Sequence, residues 1–91
     1  MKEEIYCNIK GRVQLVMFRD FSQRKAKKLG LSGWVKNLND GSVDLLAQGE
    51  RDELEKYVEL LNKGPIFAKV DSVHTVWRKP KEVLYGFSIR Y

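Results

Sequence analysis

The sequence predicts an α+β fold in which two helices cover one face of a mostly antiparallel sheet. Three observations point to it. Apolar and polar residues alternate in short runs near both ends and in the middle of the chain. Two segments of helical character separate those runs. An Asp40-Gly41 turn joins the two central runs as a hairpin. The resulting order is β-α-β-β-α-β with one further C-terminal strand, which is that of the ferredoxin-like α/β sandwich.

The elements follow from local signals. A first strand is expected over about Glu4–Lys10, with Ile5, Cys7 and Ile9 on its inner face. After a glycine-bearing loop, a first helix runs from about Phe18 to Leu29 and ends at Gly30, a favoured residue just past a helix end. Phe18, Ser22, Ala26 and Leu29 fall along one side of it, with Phe21 nearby; Lys25 shares that arc and must carry its charged end outward. Ser32–Leu38 reads as a second strand, Asn39-Asp40-Gly41 as a turn, and Ser42–Gln48 as a third strand. In the third strand Val43, Leu45 and Ala47 are expected inward and Asp44, Leu46 and Gln48 outward. A second helix over about Arg51–Lys63 places Leu54, Tyr57, Val58 and Leu61 on one face, and Gly64-Pro65 stops it. The fourth strand is about Lys69–Trp77. The fifth is about Leu84–Tyr91, with Phe87, Ile89 and Tyr91 on one face and Pro80 in the loop before it. There is no internal repeat, linker or low-complexity stretch, so residues 1–91 read as a single domain.

Composition excludes several classes. Hydrophobic residues at 43% with 32% charged residues describe a globular chain, and no run approaches the about 18 apolar residues of a spanning helix. Met1-Lys2-Glu3-Glu4 lacks the apolar core of a signal peptide, and a lone cysteine cannot form an internal disulfide, so a cytoplasmic setting is expected. A net charge of +5 favours anionic partners. His74 is the only histidine and lies out of phase with Val73, Thr75 and Trp77, which predicts a surface or rim position. One histidine and one cysteine on separate strands are poor material for a zinc site; there is no P-loop and no nucleophile–histidine arrangement.

The informative stretch is Gly11-Arg12-Val13-Gln14-Leu15-Val16-Met17-Phe18-Arg19. A strand turning directly into a helix leaves backbone N–H groups unpartnered at the helix start, where the dipole also favours an anion. Arg19 adds a cationic fork suited to phosphate oxygens. A site with neither nucleophile nor general acid suits a phosphate bond with a good leaving group. In an acyl phosphate that group is a carboxylate, whose conjugate acid has a pKa of about 4–5, and it departs unprotonated.

These residues carry a resemblance. Gly11-Arg12-Val13-Gln14-x-Val16-x-Phe18-Arg19, then Gly33-Trp34-Val35-Lys36-Asn37 and Asp40-Gly41-Ser42-Val43, resemble the acylphosphatase family, and Gly64-Pro65 and Gly86-Phe87-Ser88-Ile89-Arg90-Tyr91 extend the match over nearly the whole chain. The resemblance implies metal-free, cofactor-free hydrolysis of a carboxyl–phosphate bond in small acyl phosphates, with inorganic phosphate as product or inhibitor. It implies that the loop Gln14, Leu15, Val16, Met17, Phe18 and Arg19 binds the phosphoryl group. Arg19 and Asn37 would be the catalytic pair, with Asn37 orienting the attacking water. Taken alone, Arg19 reads as a surface or salt-bridging arginine and Asn37 as a turn-supporting residue; their pairing at this spacing is what changes the reading. Asn37 shares its side of the second strand with Val35. The Tyr91 carboxylate could orient Arg19 if the last strand ends near the loop.

The chain departs from the family at Leu15, where the family has glycine, while Met17 holds a more variable place often occupied by a small residue. If Leu15 must take a positive φ, its Cβ costs about 1–2 kcal/mol. Two rival readings follow. Leu15 and Met17 could fill the cradle and leave a catalytically weakened module that binds an anion or a partner. Alternatively, Tyr85-Gly86-Phe87 resembles the centre of an RNA-recognition motif, but at the wrong strand, and Phe87 is in phase with Ile89 and Tyr91 as a core residue. The expectation is therefore a monomeric enzyme of acyl phosphates, with no nucleic-acid or membrane partner.

Overall fold

A computed structural model describes residues 2–91 and contains the predicted elements in the predicted order. They are β1 (Glu3–Arg12), α1 (Phe18–Lys28), β2 (Ser32–Asn37), β3 (Val43–Gly49), α2 (Arg51–Lys63), β4 (Lys69–Arg78) and β5 (Phe87–Arg90). The strands form one sheet in the order β4-β1-β3-β2-β5. Its pairs are antiparallel except for β2 and β5, which run parallel. α1 packs over β2 and β5, and α2 over β3 and β4, giving the two-layer sandwich. No helix among the described residues is long and apolar enough to cross a membrane.

The core lies between the layers. Ile5, Cys7 and Ile9 from β1 meet Val35, Val43, Leu45, Ala47 and Phe87 from the neighbouring strands, and Phe18, Ala26, Leu54, Tyr57 and Leu61 from the helices. The Tyr57 hydroxyl donates to the Ser22 carbonyl at 2.9 Å, and its ring meets Phe87 edge-on, so one side chain ties both helices to β5. Burial pushes the Cys7 thiol up to about 11, as expected for a small residue packed as a hydrophobe. α1 ends as its sequence predicts. The Gly30 N–H reaches Lys27 O and the Leu31 N–H reaches Ala26 O, a Schellman pair that satisfies the last carbonyls. Lys25 carries its ammonium outward past the Phe21 ring.

Two expectations need correction. Asp44, Leu46 and Gln48 were expected on a solvated face, yet every residue of β3 is buried. The reason is the segment 79–86, which crosses that side of the sheet: Gln48 donates to Glu82 O at 2.7 Å and to Glu4 Oε1 at 2.8 Å, and it accepts the Leu84 N–H at 2.9 Å. Asp44 is covered by its own partners, accepting from the Tyr6 hydroxyl at 2.7 Å and from Asn8 Nδ2 at 2.8 Å. The same contacts shorten the last strand. It begins at Phe87, not Leu84, because the Leu84 N–H is committed to Gln48 and cannot join a ladder. His74 is exposed on the edge strand β4, as its phase predicted.

Candidate active site

β1 enters the site through an irregularity. Its register against β4 shifts between Lys10 and Gly11, a bulge that re-aims the chain toward the following loop. Gly11 is required there: φ is +131°, and a Cβ would lie 2.1 Å from the Lys69 carbonyl oxygen. Beyond the bulge the loop alternates. Val13 is buried, Val16 packs against the core, and Phe18 is buried within it. Leu15 and Met17 both take φ 60° and face solvent, 99% and 70% exposed. The leucine therefore adopts the left-handed conformation that glycine would take at no steric cost, and neither side chain plugs the loop.

Met17 is the N-cap of α1 and supplies no side-chain cap. The first N–H groups of the helix are accordingly left without a side-chain acceptor at a dipole end that favours an anion. Gln14 holds the loop in place. Its Nε2 donates to Leu38 O at 2.7 Å and to Ser42 O at 2.9 Å, so both amide hydrogens are engaged by the β2–β3 hairpin. That hairpin is itself braced. The Leu38 N–H meets Ser42 O at 2.8 Å, and the Asp40 carboxylate accepts from both the Ser42 N–H and its hydroxyl. These two bonds hold the Asp40 carboxyl below its usual range.

A pocket of about 310 Å³ opens beside this loop, and Leu15, Met17, Phe18, Arg19 and Asn37 all line it. Arg19 and Asn37 thus come from separate elements to one cavity. Gln14 and Val16 do not line it: the first is a brace for the loop and the second faces the core. Arg19 is partly buried and held from the far end of the chain. Its Nη1 donates to Arg90 O at 3.3 Å, and its guanidinium lies 4.7 Å from the centre of the Tyr91 ring. The contact to Tyr91 is therefore through the ring; no ion pair from Arg19 to a carboxylate forms among the described residues. Asp20 also borders the pocket, but its carboxylate is paired with Arg24 at 2.9 Å. The Asn37 carboxamide makes no hydrogen bond among the described residues, and its Oδ1 is buried without a partner. An unpaired buried polar atom is costly, of the order of 1–3 kcal/mol; Ser32 Oγ is the other such atom among the described residues, and of the two only Asn37 Oδ1 belongs to a residue that lines the pocket.

Sequence reasoning missed four contributors. Val13, Asp20 and Ile89 form part of the wall, and the Arg90 carbonyl steadies Arg19. Only Ile89 carried a signal, since it is in phase with the buried Phe87. That burial, 4% exposure for Phe87, also removes it as a base-stacking platform. Among the described residues no group of three or more His, Cys, Asp or Glu side chains comes together that could hold a metal ion.

Comparison with known proteins finds relatives over nearly the whole chain. A family model described as Acylphosphatase matches residues 5–89. The chain is 40% identical over 89 residues to an acylphosphatase of Salinibacter ruber, covering 98% of this chain and 94% of the relative. It is 46% identical over 81 residues to one of Thermus thermophilus, covering 89% and 91%. The crystal structure of acylphosphatase from Bacillus subtilis superposes with a TM-score of 0.95 at 39% identity, covering 98% of this chain and 99% of that one.

Proposed function

Because this chain belongs to the acylphosphatase family, we infer that it is an acylphosphatase, hydrolysing the carboxyl–phosphate bond of small acyl phosphates in the pocket between the 14–19 loop and Asn37. The phosphoryl oxygens are received by N–H groups of the loop and the α1 start, and by the Arg19 guanidinium. Asn37 offers its free carboxamide to a water and aims it at phosphorus. The water oxygen bonds to phosphorus as the bond from phosphorus to the acyl oxygen breaks, and that electron pair leaves on the carboxylate. One water proton stays on the attacking oxygen and the other passes to a phosphoryl oxygen, so an acyl phosphate dianion and water give a carboxylate and dihydrogen phosphate. No side chain needs to protonate the leaving group, because its conjugate acid is as strong as a side-chain carboxyl. The protein's contribution is placement and charge stabilisation.

The observation that carries this reading is that Arg19 and the unpartnered carboxamide of Asn37 line one cavity. The test is hydrolysis of acetyl phosphate in the presence of a chelator. Wild-type protein is expected to turn over, with inorganic phosphate competing, and Arg19→Ala and Asn37→Ala each to lose about 10²-fold or more. A wild-type rate equal to the uncatalysed one would overturn the proposal.

The rival anion-binding module required Leu15 and Met17 to fill the cradle. Both side chains stand in solvent instead, which favours the enzyme.

A further inference from the structure

The hold on Arg19 is weak taken by itself. Its acceptor among the described residues is the Arg90 carbonyl at 3.3 Å, a long and exposed bond. Arg90 ends β5, a four-residue strand at the sheet edge that pairs only with β2. So short a strand does not fix its own place against α1, which carries Arg19 in its first turn. A second bond between the same two elements does. Gln23 lies one turn beyond Arg19 on the same face of α1, and its Nε2 donates to Phe87 O at 2.9 Å. The preceding carbonyl, that of Gly86, accepts the Gly33 N–H at 2.9 Å, so successive carbonyls serve β2 and α1 in turn. Phe87 is a firm anchor, buried and with its ring edge-on to Tyr57. Gln23 itself does not line the pocket.

We propose that Gln23 is a positioning residue for Arg19: by keying α1 to β5 at Phe87, it sets the Arg90 carbonyl, three residues on, where it can hold the guanidinium for the phosphoryl group. The proposal rests on the hydrolase reading and adds to it a residue outside the pocket. At 3.3 Å the bond from Arg19 to Arg90 has no slack, and a small slide of α1 along β5 takes it out of hydrogen-bond range. The plainer role for Gln23 is to cover a carbonyl of an edge strand. That role alone predicts lost stability with unchanged chemistry. Positioning predicts a loss of chemistry that requires Arg19 to be present.

The experiment measures hydrolysis of acetyl phosphate and calorimetric binding of inorganic phosphate in wild type, Gln23→Met, Gln23→Ala and Tyr57→Phe, and hydrolysis in Arg19→Ala with and without Gln23→Met. Both Gln23 variants lack the donor; methionine keeps the stem and alanine favours the helix, and a cooperative urea transition reports that each is folded. Each should lose about tenfold in kcat/KM and in phosphate affinity, the scale of one hydrogen bond. In the Arg19→Ala background, Gln23→Met should change kcat/KM by no more than about twofold, because the residue it acts through is gone. Tyr57→Phe removes the bond to Ser22 O, which ties α1 to α2 and not to β5. It should lower the urea midpoint yet leave kcat/KM within about twofold of wild type. Wild-type kinetics in the Gln23 variants, the same loss with and without Arg19, or an equal loss in Tyr57→Phe would each overturn positioning and leave the hydrolase standing; so would failure of both Gln23 variants to fold, which would make Gln23 a support of the fold at large. Wild-type turnover at the uncatalysed rate would overturn the hydrolase reading, with the phosphate affinities still deciding the role of Gln23. Absence of both turnover and phosphate binding in wild type would overturn both.

Discussion

Replacing Leu15 isolates the cost of its backbone. At φ 60° the residue sits in the left-handed region, and its side chain is 99% exposed, so almost no packing is lost when it is cut back. The left-handed conformation costs a residue with a Cβ about 1–2 kcal/mol. Glycine escapes that term but gives back about 0.5–1 kcal/mol through the greater freedom of the unfolded chain. The balance for Leu15→Gly is a stabilisation of about 0.5–1 kcal/mol, a rise in Tm of about 2–8 °C for a domain of this size. Leu15→Ala keeps the Cβ and should stay within about 0.5 kcal/mol of wild type. Leu15→Val adds branching next to the strained backbone and should fall below it. Thermal and urea unfolding of the three variants check the order Gly, then Ala, then Val. A glycine variant no more stable than the alanine variant would refute the account of strain at this position. Inorganic phosphate should bind Leu15→Gly at least as well as wild type, because a bare backbone lets the anion approach as closely as the loop allows.

Other outcomes follow from the same geometry. Asn37→Ala should abolish most turnover yet leave stability unchanged or raise it by up to about 1 kcal/mol, because it removes a buried oxygen that has no partner; a loss above that amount in urea unfolding would count against a free carboxamide. Arg19→Lys should also be poorly active, by about 10²-fold, since an ammonium reproduces neither the fork nor the stacking on Tyr91; steady-state kinetics decide. Gln14→Glu sets a carboxylate against the carbonyls of Leu38 and Ser42 and should destabilise the fold by about 2 kcal/mol, read as a lower urea midpoint. Tyr6, pushed up to about 12 chiefly by its hydrogen bond to Asp44, binds its proton more tightly when folded. Its contribution is complete below pH 10 and is lost as pH rises through about 12, so unfolding free energy should decline in that window, and less so in Tyr6→Phe.

The parts of the fold that depend on near neighbours could be read from the chain. The stripe Leu54, Tyr57, Val58 and Leu61, the stop at Gly64-Pro65 and the Gly30 terminus each declare themselves within a few residues. The errors came from distant partners. Alternation puts Asp44 and Gln48 on the face away from the helices, but nothing local announces that residues 79–86 will cover it. Leu84 has strand character, yet its N–H is taken by a side chain on β3. The site divides the same way. Arg19 and Asn37 were found as a pair through the family resemblance, and the structure brings both to one cavity. Gln14 looked like part of the anion loop, but its hydrogen bonds go to carbonyls in a hairpin that only the tertiary fold brings near.

The order β4-β1-β3-β2-β5 also bears on how the molecule comes into being. β1 is flanked by β3 and β4, so a chain emerging from the ribosome shows one side of its opening strand unpaired until Lys69–Arg78 has followed. The carbonyl that steadies Arg19 lies 71 residues further on. Such remote pairings must overcome loop-closure entropy before they contribute any stabilisation, which slows folding relative to a domain held by local contacts. Competence for chemistry is thus acquired last: a nascent chain can have its cradle residues long synthesised while the clamp on their guanidinium is still to be made.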